Sequence, residues 1–575
     1  MLVYGDRSRS ARPADLLDAV SASIVESRRA EPRVCRHDNL VAALIEAGML
    51  AQGLADAEMH AACGVDTASP LQAAAMALTT ALARAVEASW AGDPVLDGSA
   101  VDAALAGLAQ HTLPDWVEVK QPEGFAYYAL YPEAYAAAAR GLPAGTRVIG
   151  LRSIGTSLAA SVAAGAACEA LPLSLRPIGP PFRRHYALAD DLWHRLTDRK
   201  APCVALVDEG PGLSGSSLGA LADRLEDAGI APETIVMLPG HGGDLGPQAA
   251  PRHRARWRRV GRRLASFEAV VLPRLAAAVD DLTGPILAPL EDLSGGGWRR
   301  MLRHDADWPA VDAMQERRKF LLRSTEGTYL LKFVGLGGFG DAALRDASDL
   351  HRQGFGPEVL GRRLGFMVSR WEDRSTIQQA PVDRADFLAL LAAYLGFRTS
   401  LPPDDASRAN LAALAEMTAH NVAASLGPQR AEMWRRRYGE IDRLPAPRPV
   451  RTDNRLQVWE WIRTEAGLLL KTDGSDHCRA HDLVGCQDIV WDLAGAKVEY
   501  DLSTDELDAL VTEVDRCSPT PVSRTLLDWT IPAYLAFQTG LWSMAKDRAE
   551  VAEQQRIEIL LDRYRSGLAS YCQPA

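Results

Sequence analysis

The sequence predicts an α/β multidomain protein in which three textures follow one another. Residues 1–114 read as a helical region, 115–290 as a parallel sheet with flanking helices, 291–314 as a linker, and 315–575 as a two-lobed α+β unit. Three observations lead there. Apolar residues recur at helical spacing through the first 110 positions. From Val117, short apolar runs alternate with Ala-rich helical stretches, the pattern of parallel strands joined by crossover helices. From Arg318, hairpin signals precede a long helical remainder. A chain of 575 residues has room for three or four domains.

In chain order, LLDAVSASIVES, the stretch from Asn39 to Leu54 and LQAAAMALTTALARAVEASW are helices. The apolar runs at 147–151, 203–207 and 234–238 are the parallel strands, each but the last followed by a helix. Residues 240–262, rich in Gly, Pro and Arg, read as loop, and 264–288 as helix. LSGGGW at 293–298 reads as linker. KFLLRS, TEG and TYLLKFV then make a hairpin, and DAALRDASDLHRQG a helix that ends at Gly354. GFMVSRW is a strand, 383–445 is helical, and VWEWIRT, EAG and LLLKTDG make a second hairpin. Amphipathic helix fills most of the last 55 residues.

Composition narrows the function classes. With 47% hydrophobic and 24% charged residues the chain can bury sizeable cores. A net charge of -11 argues against a general nucleic-acid coat, which needs a basic surface. No charge-free apolar stretch of membrane-spanning length is present, and the N-terminus turns polar after four residues, unlike a signal peptide. The eight cysteines form no CxxC pair and read as reduced thiols of a cytoplasmic protein. Cys478 and Cys486 with His477 and His481 match no common zinc spacing. The expected partners are small molecules, with no nucleic acid and no membrane; association between copies of the chain is left open.

The strongest local signal is CVALVDEGPGLSGSSLGAL, 203–221. A buried strand ends in Asp208 and Glu209, a Gly- and Ser-rich turn follows, and a helix starts at Ser216 or Ser217. Small residues let backbone N–H groups converge on a phosphate, and the helix N-terminus adds positive potential. Two adjacent acids can accept hydrogen bonds from ribose hydroxyls. The segment resembles the phosphoribosyl-pyrophosphate motif of type I phosphoribosyltransferases, and the resemblance extends over about 115–290. It implies that Asp208 and Glu209 bind ribose and orient Mg2+, and that Gly212, Ser214, Gly215, Ser216 and Ser217 hold the 5'-phosphate. It further implies a pyrophosphate loop at Arg152, Ser153, Ile154, Gly155 and Thr156. A catalytic loop in RPIGPPFRRHY would offer Arg183, Arg184 and His185. Phosphoribosyl pyrophosphate is the implied donor.

Residues 315–575 resemble the aminoglycoside phosphotransferase and choline kinase group of kinase-like folds, with a hairpin-rich small lobe before a helical large lobe. The resemblance implies ATP as donor and Mg2+ as cofactor. It places Lys332 on the nucleotide phosphates, with the turn Ser324–Gly327 covering them and Asp346 or Asp349 pairing with the lysine. Asp453, in RTDNRLQVWEW, is the implied catalytic base, with Gln457 and Asp473 as metal ligands. Arg451 stands where the family has His, and Val458 where it has Asn, with Gln457 one position early. Asp482 is an alternative metal ligand, and Asp488 and Asp492 brace the catalytic loop. The tryptophans at 459, 461, 491, 529 and 542 read as core.

Together the two resemblances imply a bifunctional enzyme of nucleotide or specialised small-molecule metabolism. It would transfer phosphoribose from phosphoribosyl pyrophosphate, and phosphate from ATP. The alternatives are a non-catalytic sensor of phosphoribosyl pyrophosphate or nucleotide, and an active transferase whose kinase-like lobe is a scaffold.

Overall fold

Four helices open the chain, Pro13–Arg29, Arg33–Ala61, Pro70–Ala91 and Ser99–Leu108; the first three are those expected from apolar periodicity. The computed structural model describes residues 1, 8–93, 98–302, 308–372, 374–376, 382–404 and 410–573. The helix Arg33–Ala61 is apolar and long enough to cross a membrane, yet 89% of its most apolar window is buried inside the protein. It is a core helix. The periodicity did not reveal a strand, Ser8–Ala11, that pairs antiparallel with Val117–Lys120.

The parallel sheet has the order Leu173–Leu175, Arg147–Leu151, Val204–Val207, Ile235–Leu238, Gly261–Arg262. Two of its three interior strands, Val204–Val207 and Ile235–Leu238, are buried at every position, as both faces of a parallel sheet must be. Val148, Ala205, Val207 and Leu238 point into the core shared with the N-terminal helices. Ile149, Leu206 and Met237 point into a second core under the helix Ser216–Asp227. The 240–262 segment is not wholly loop: it contains the helix Pro251–Arg259 and the edge strand Gly261–Arg262. Arginines mask the apolar signal there, while His253 and Trp257 supply the buried face.

A second, antiparallel sheet runs Val359–Arg363, Phe366–Arg370, Gly327–Phe333, Lys319–Ser324, Glu291–Asp292. Both expected hairpins form, the second as Trp461–Thr464 and Leu469–Lys471. The helices Arg384–Thr399, Leu411–Leu426, Arg524–Arg548 and Val551–Tyr571 build the large lobe around its own core.

The expected domain boundaries do not separate cores. Phe320, Leu322, Leu331, Phe333 and Phe366 of the antiparallel sheet lie in one continuous core with the N-terminal helices and the parallel sheet. The 291–314 segment is not a free linker either. Glu291–Asp292 adds a strand to the sheet, and Arg299 and the Val311 amide both bond Glu553 of the last helix. Residues 303–307 of that segment lie outside the described residues.

Candidate functional site

The strand order reverses between Arg147–Leu151 and Val204–Val207: one connection runs to the Leu173–Leu175 side, the next to the opposite side. Such a switch point leaves a crevice at the carboxyl ends of the two strands, where open α/β sheets bind ligands. Ser153 and Asp208 stand at those two ends, so the fold brings together the loops that the sequence singled out.

Asp208 accepts the Glu209 amide at 2.9 Å, and its carbonyl accepts the Tyr135 hydroxyl. Burial raises its pKa to about 6. Burial, then the charges of Glu123 and Asp208, raises Glu209 to about 8. These are carboxyls held where a cation or hydroxyl donor would relieve them. Gly212 and Gly215 have φ of +63° and +59°, backbone that a side chain would strain, and Gly215 precedes the helix Ser216–Asp227. The hydroxyls of Ser214 and Ser216 both donate to the Pro181 carbonyl, at 2.9 and 2.5 Å. The Pro-rich loop therefore lies over the serines, closed by the Ile178–His185 bridge, with Arg183 exposed and Arg184 bonded to Gly179.

The expected pyrophosphate loop needs correction. Arg152 does not face the crevice; its guanidinium is fully buried against Asp66 at 2.6 Å and Asp56 at 3.2 Å. It pins the sheet to the N-terminal helices. Thr156 is fully buried, and its hydroxyl has no partner. Gly155 is a packing glycine, since a Cβ there would meet the Val207 carbonyl at 3.0 Å. Ser153, partly exposed at φ +141°, is the member of the set left facing outward.

In the second half, Lys332 lies on the strand Gly327–Phe333, opposite Lys319 and Met367. Its Nζ donates to Asp473 at 2.6 Å and Asp476 at 3.0 Å. Burial opposes the ammonium charge, but the two carboxylates more than offset it and raise the pKa. Asp473 follows the second hairpin, as expected. His477 bridges onward, with Nε2 at 3.4 Å from Asp473 and Nδ1 at 2.9 Å from Asp453. The backbone amides of Asp453 and Asn454 donate to Asp492 at 2.7 and 2.9 Å, the bracing expected of that acid.

Several other expectations change. Asp453 is fully enclosed, bonded by Tyr394 and His477 with Lys471 Nζ at 3.3 Å. Burial would raise its pKa, but Lys471, His477 and Arg398 reverse this and hold it far below the usual range. It lines neither of the cavities described next, and it anchors His477 and Lys471. Asp346 does not pair with Lys332; it bonds Arg451 and Arg479. Asp349 is partly exposed beside Arg352. The Ser324–Gly327 turn lines neither cavity described next; Ser324 donates to the Thr283 carbonyl instead. Gln457 is buried with its Oε1 unpartnered but lines neither cavity described next. His477 and His481 bond carboxylates and Tyr128, not the nearby thiols. Sequence reasoning assigned no role to Lys471, Asp476 or Arg455. For Asp476, its distance of three residues from Asp473 was the available signal.

Two adjoining cavities meet at Lys332. The smaller, about 110 Å3, is walled by Trp298, Trp371, Trp459 and Trp542 with Leu330 and Ile462. Trp459 and Trp542, expected as core, therefore also form cavity wall, and the indole N–H groups of Trp298 and Trp542 have no acceptor. The larger, about 370 Å3, is lined by Tyr127, Tyr128, Arg317, Arg318 and the Asp473–His477 cluster. Lys332, Arg455, Asp473 and Asp482 line both.

No known protein family and no curated protein matches the chain. Solved structures that resemble it include several kinases. The choline kinase LicA from Streptococcus pneumoniae is 16% identical with a TM-score of 0.35, over 52% of this chain and 99% of that one. A choline/ethanolamine kinase family protein from Mesorhizobium loti is 14% identical with a TM-score of 0.33, over 52% and 97%. A glucosamine kinase is 16% identical with a TM-score of 0.24, over 46% and 75%. None of these lends support to a phosphoribosyltransferase domain. Identities and scores this low leave the chemistry to the chain's own residues.

Proposed function

We propose that the cavities around Lys332 are the site of an ATP-dependent phosphotransferase acting on a hydroxyl of a small molecule. One observation carries this reading: a buried lysine on a sheet strand is paired with Asp473 and Asp476 where two cavities meet. The aromatic cavity suits a nucleobase, and Lys332 suits the phosphates beyond it. Asp473, Asp476 and His477 present donor atoms within 4.8 Å of one another. The two carboxylates are the hard oxygen ligands that Mg2+ prefers, so the residues fit that ion. When bound, the ion would neutralise phosphate charge. Lys332 would hold the transferred phosphoryl group's oxygens, and His477, anchored by Asp453, would fix Asp473. Asp482, on both cavities, would receive the acceptor's proton. Phosphoryl transfer asks mainly for positioning and charge stabilisation. Lys332→Ala and Asp473→Asn should each lower ATP-dependent phosphorylation of a panel of small alcohols and sugars by about 100-fold or more. Unchanged turnover in Lys332→Ala would overturn the reading.

A second reading concerns the switch-point crevice, where Asp208, Glu209 and the glycine–serine loop favour phosphoribosyl pyrophosphate. For this donor the Pro-rich loop must release Ser214 and Ser216, and Arg183 and Arg184 would then meet the leaving pyrophosphate. Calorimetric titration with Mg2+ and phosphoribosyl pyrophosphate should give saturable binding that Asp208→Asn/Glu209→Gln abolishes. Absence of binding to the unaltered protein would remove this reading and leave the phosphotransferase.

A further inference from the structure

The 370 Å3 cavity beside Lys332 is not built by the kinase-like half alone. Tyr127 and Tyr128, from the segment leading into the parallel sheet, form one wall. The seam is tied at several points. The Tyr128 hydroxyl lies 2.6 Å from His481 Nε2, and Tyr127 stacks on the same imidazole at 4.6 Å and donates to the Arg479 carbonyl. Arg317 donates to the Ala126 carbonyl at 2.9 Å and covers the Tyr127 ring.

On the far side of this wall lies another cavity, about 230 Å3, which borders Tyr135, Gly240, His241 and Arg263. Gly240 follows the strand Ile235–Leu238, and its amide donates to the Glu209 carbonyl at 2.9 Å. That cavity therefore adjoins the carboxyl ends of the parallel strands. Tyr128 and Arg318 line both cavities, so these two side chains are the partition between them. Tyr128 is 46% exposed. Its partial burial, then the charges of Glu123, Glu209 and Asp482, hold its hydroxyl pKa above the ordinary phenol value. One of these acids belongs to the crevice and another to the Lys332 site, so the ring stands between the two.

The lining also has a charge preference. Five lysines and arginines face four carboxylates. Lys332 is paired with Asp473 and Asp476, Lys319 with Glu316, Arg317 with Asp476 and Arg455 with Glu460, which leaves Arg318 as the lining cation whose partner borders neither of the cavities that meet at Lys332. Arg318 leans on Glu268, a residue outside the lining and 53% exposed in its side chain, so that pair is easily exchanged for another anion.

Building on the phosphotransferase reading, we propose that the seam cavity is the acceptor pocket of that reaction. It takes a phosphorylated sugar, such as the phosphoribosyl group that the strand-end crevice would transfer on the second reading above, with Arg318 and Tyr128 holding the acceptor's phosphate and hydroxyls. In the transfer, an acceptor hydroxyl oxygen bonds the γ-phosphorus of ATP while the bond from that phosphorus to the β,γ-bridging oxygen breaks. The bond's electron pair leaves on ADP, and the hydroxyl proton passes to Asp482.

The test uses the full chain, Mg2+, a non-hydrolysable ATP analogue and ribose 5-phosphate as probe. The expected result is saturable binding of ribose 5-phosphate in the presence of the analogue, weakened at least tenfold in Arg318→Ala and severalfold in Tyr128→Phe. Analogue binding should stay the same in both variants, and ribose and choline should bind at least tenfold more weakly than ribose 5-phosphate. If the analogue binds but ribose 5-phosphate does not, or binds equally well to both variants, the pocket assignment is overturned while the phosphotransferase stands. Tighter binding of choline overturns the charge assignment. Failure of the unaltered protein to bind the analogue overturns the phosphotransferase reading and this assignment with it.

Discussion

Glu209 keeps a proton that an exposed glutamate would lose, because burial and then Glu123 and Asp208 raise its pKa to about 8. His477 is raised to about 9: burial opposes its charge, but Asp473 and Asp453 outweigh it. Both shifts act on stability in the same direction. From 4.5 to about 8 the folded Glu209 retains a proton that the unfolded chain has released, so stability falls as pH rises through that window. The His477 contribution is complete below 6.5 and is lost as pH rises through about 9. Thermal unfolding should therefore occur at lower temperature as pH is raised from about 6 to 9. Glu209→Gln should flatten the part of that slope below about pH 8; an unchanged slope would mean that Glu209 is already ionised in the fold. Arg152 shows the other use of a charge. With Asp56 and Asp66 it forms a buried network at the root of the crevice, where removing one partner strands the others.

Among the elements, the strand Arg147–Leu151 and the helix Gly155–Gly165 are packed unusually close. A Cβ at Gly150 would sit 2.0 Å from the Gly155 carbonyl oxygen, a backbone atom that cannot step aside. Gly150→Ala should push that helix off the sheet and cost about 3 kcal/mol or more, readable as a lowered midpoint in urea unfolding. A loss below about 0.5 kcal/mol would show that the turn at Ser153 absorbs the shift. The Pro-rich loop poses a different question at this scale. Its Pro181 carbonyl satisfies the Ser214 and Ser216 hydroxyls, so on the second reading proposed above the loop must open before a phosphate can meet them.

Across the whole molecule, the antiparallel sheet decides how the chain divides. One side of it faces the Lys332 cavities, and the other contributes Phe320, Leu322, Phe333 and Phe366 to a core completed by residues before position 280. Cutting at 315 would expose that core, and a patch of several large side chains in water is an aggregation surface. The full chain should unfold with the two sheets lost together, whereas a fragment of 315–575 should be insoluble or lack fixed tertiary structure by near-ultraviolet circular dichroism. A folded fragment with a sharp thermal transition would contradict the shared core.

By itself the sequence determined the local order of the protein. Periodicity and turn residues placed the N-terminal helices, the three main parallel strands and both hairpins. Residue chemistry singled out Asp208 and Glu209, because two acids at a strand end before small residues are a local signal, whereas Lys332 and Asp473 came from the resemblance to kinase-like folds. Tertiary structure decided what each polar side chain meets. Arg152 and Thr156 read as ligands but are enclosed; Asp346 reads as a partner of Lys332 but braces Arg451; Asp453 reads as a base but anchors a cluster. Asp476, Lys471 and the Tyr128–Arg318 partition emerged only with the fold. Secondary structure follows from interactions within a few residues. The partner of a buried charge is chosen by whichever opposite charge the packing brings within hydrogen-bond reach, over separations of 141 residues for Lys332 and Asp473 and 96 for Arg152 and Asp56.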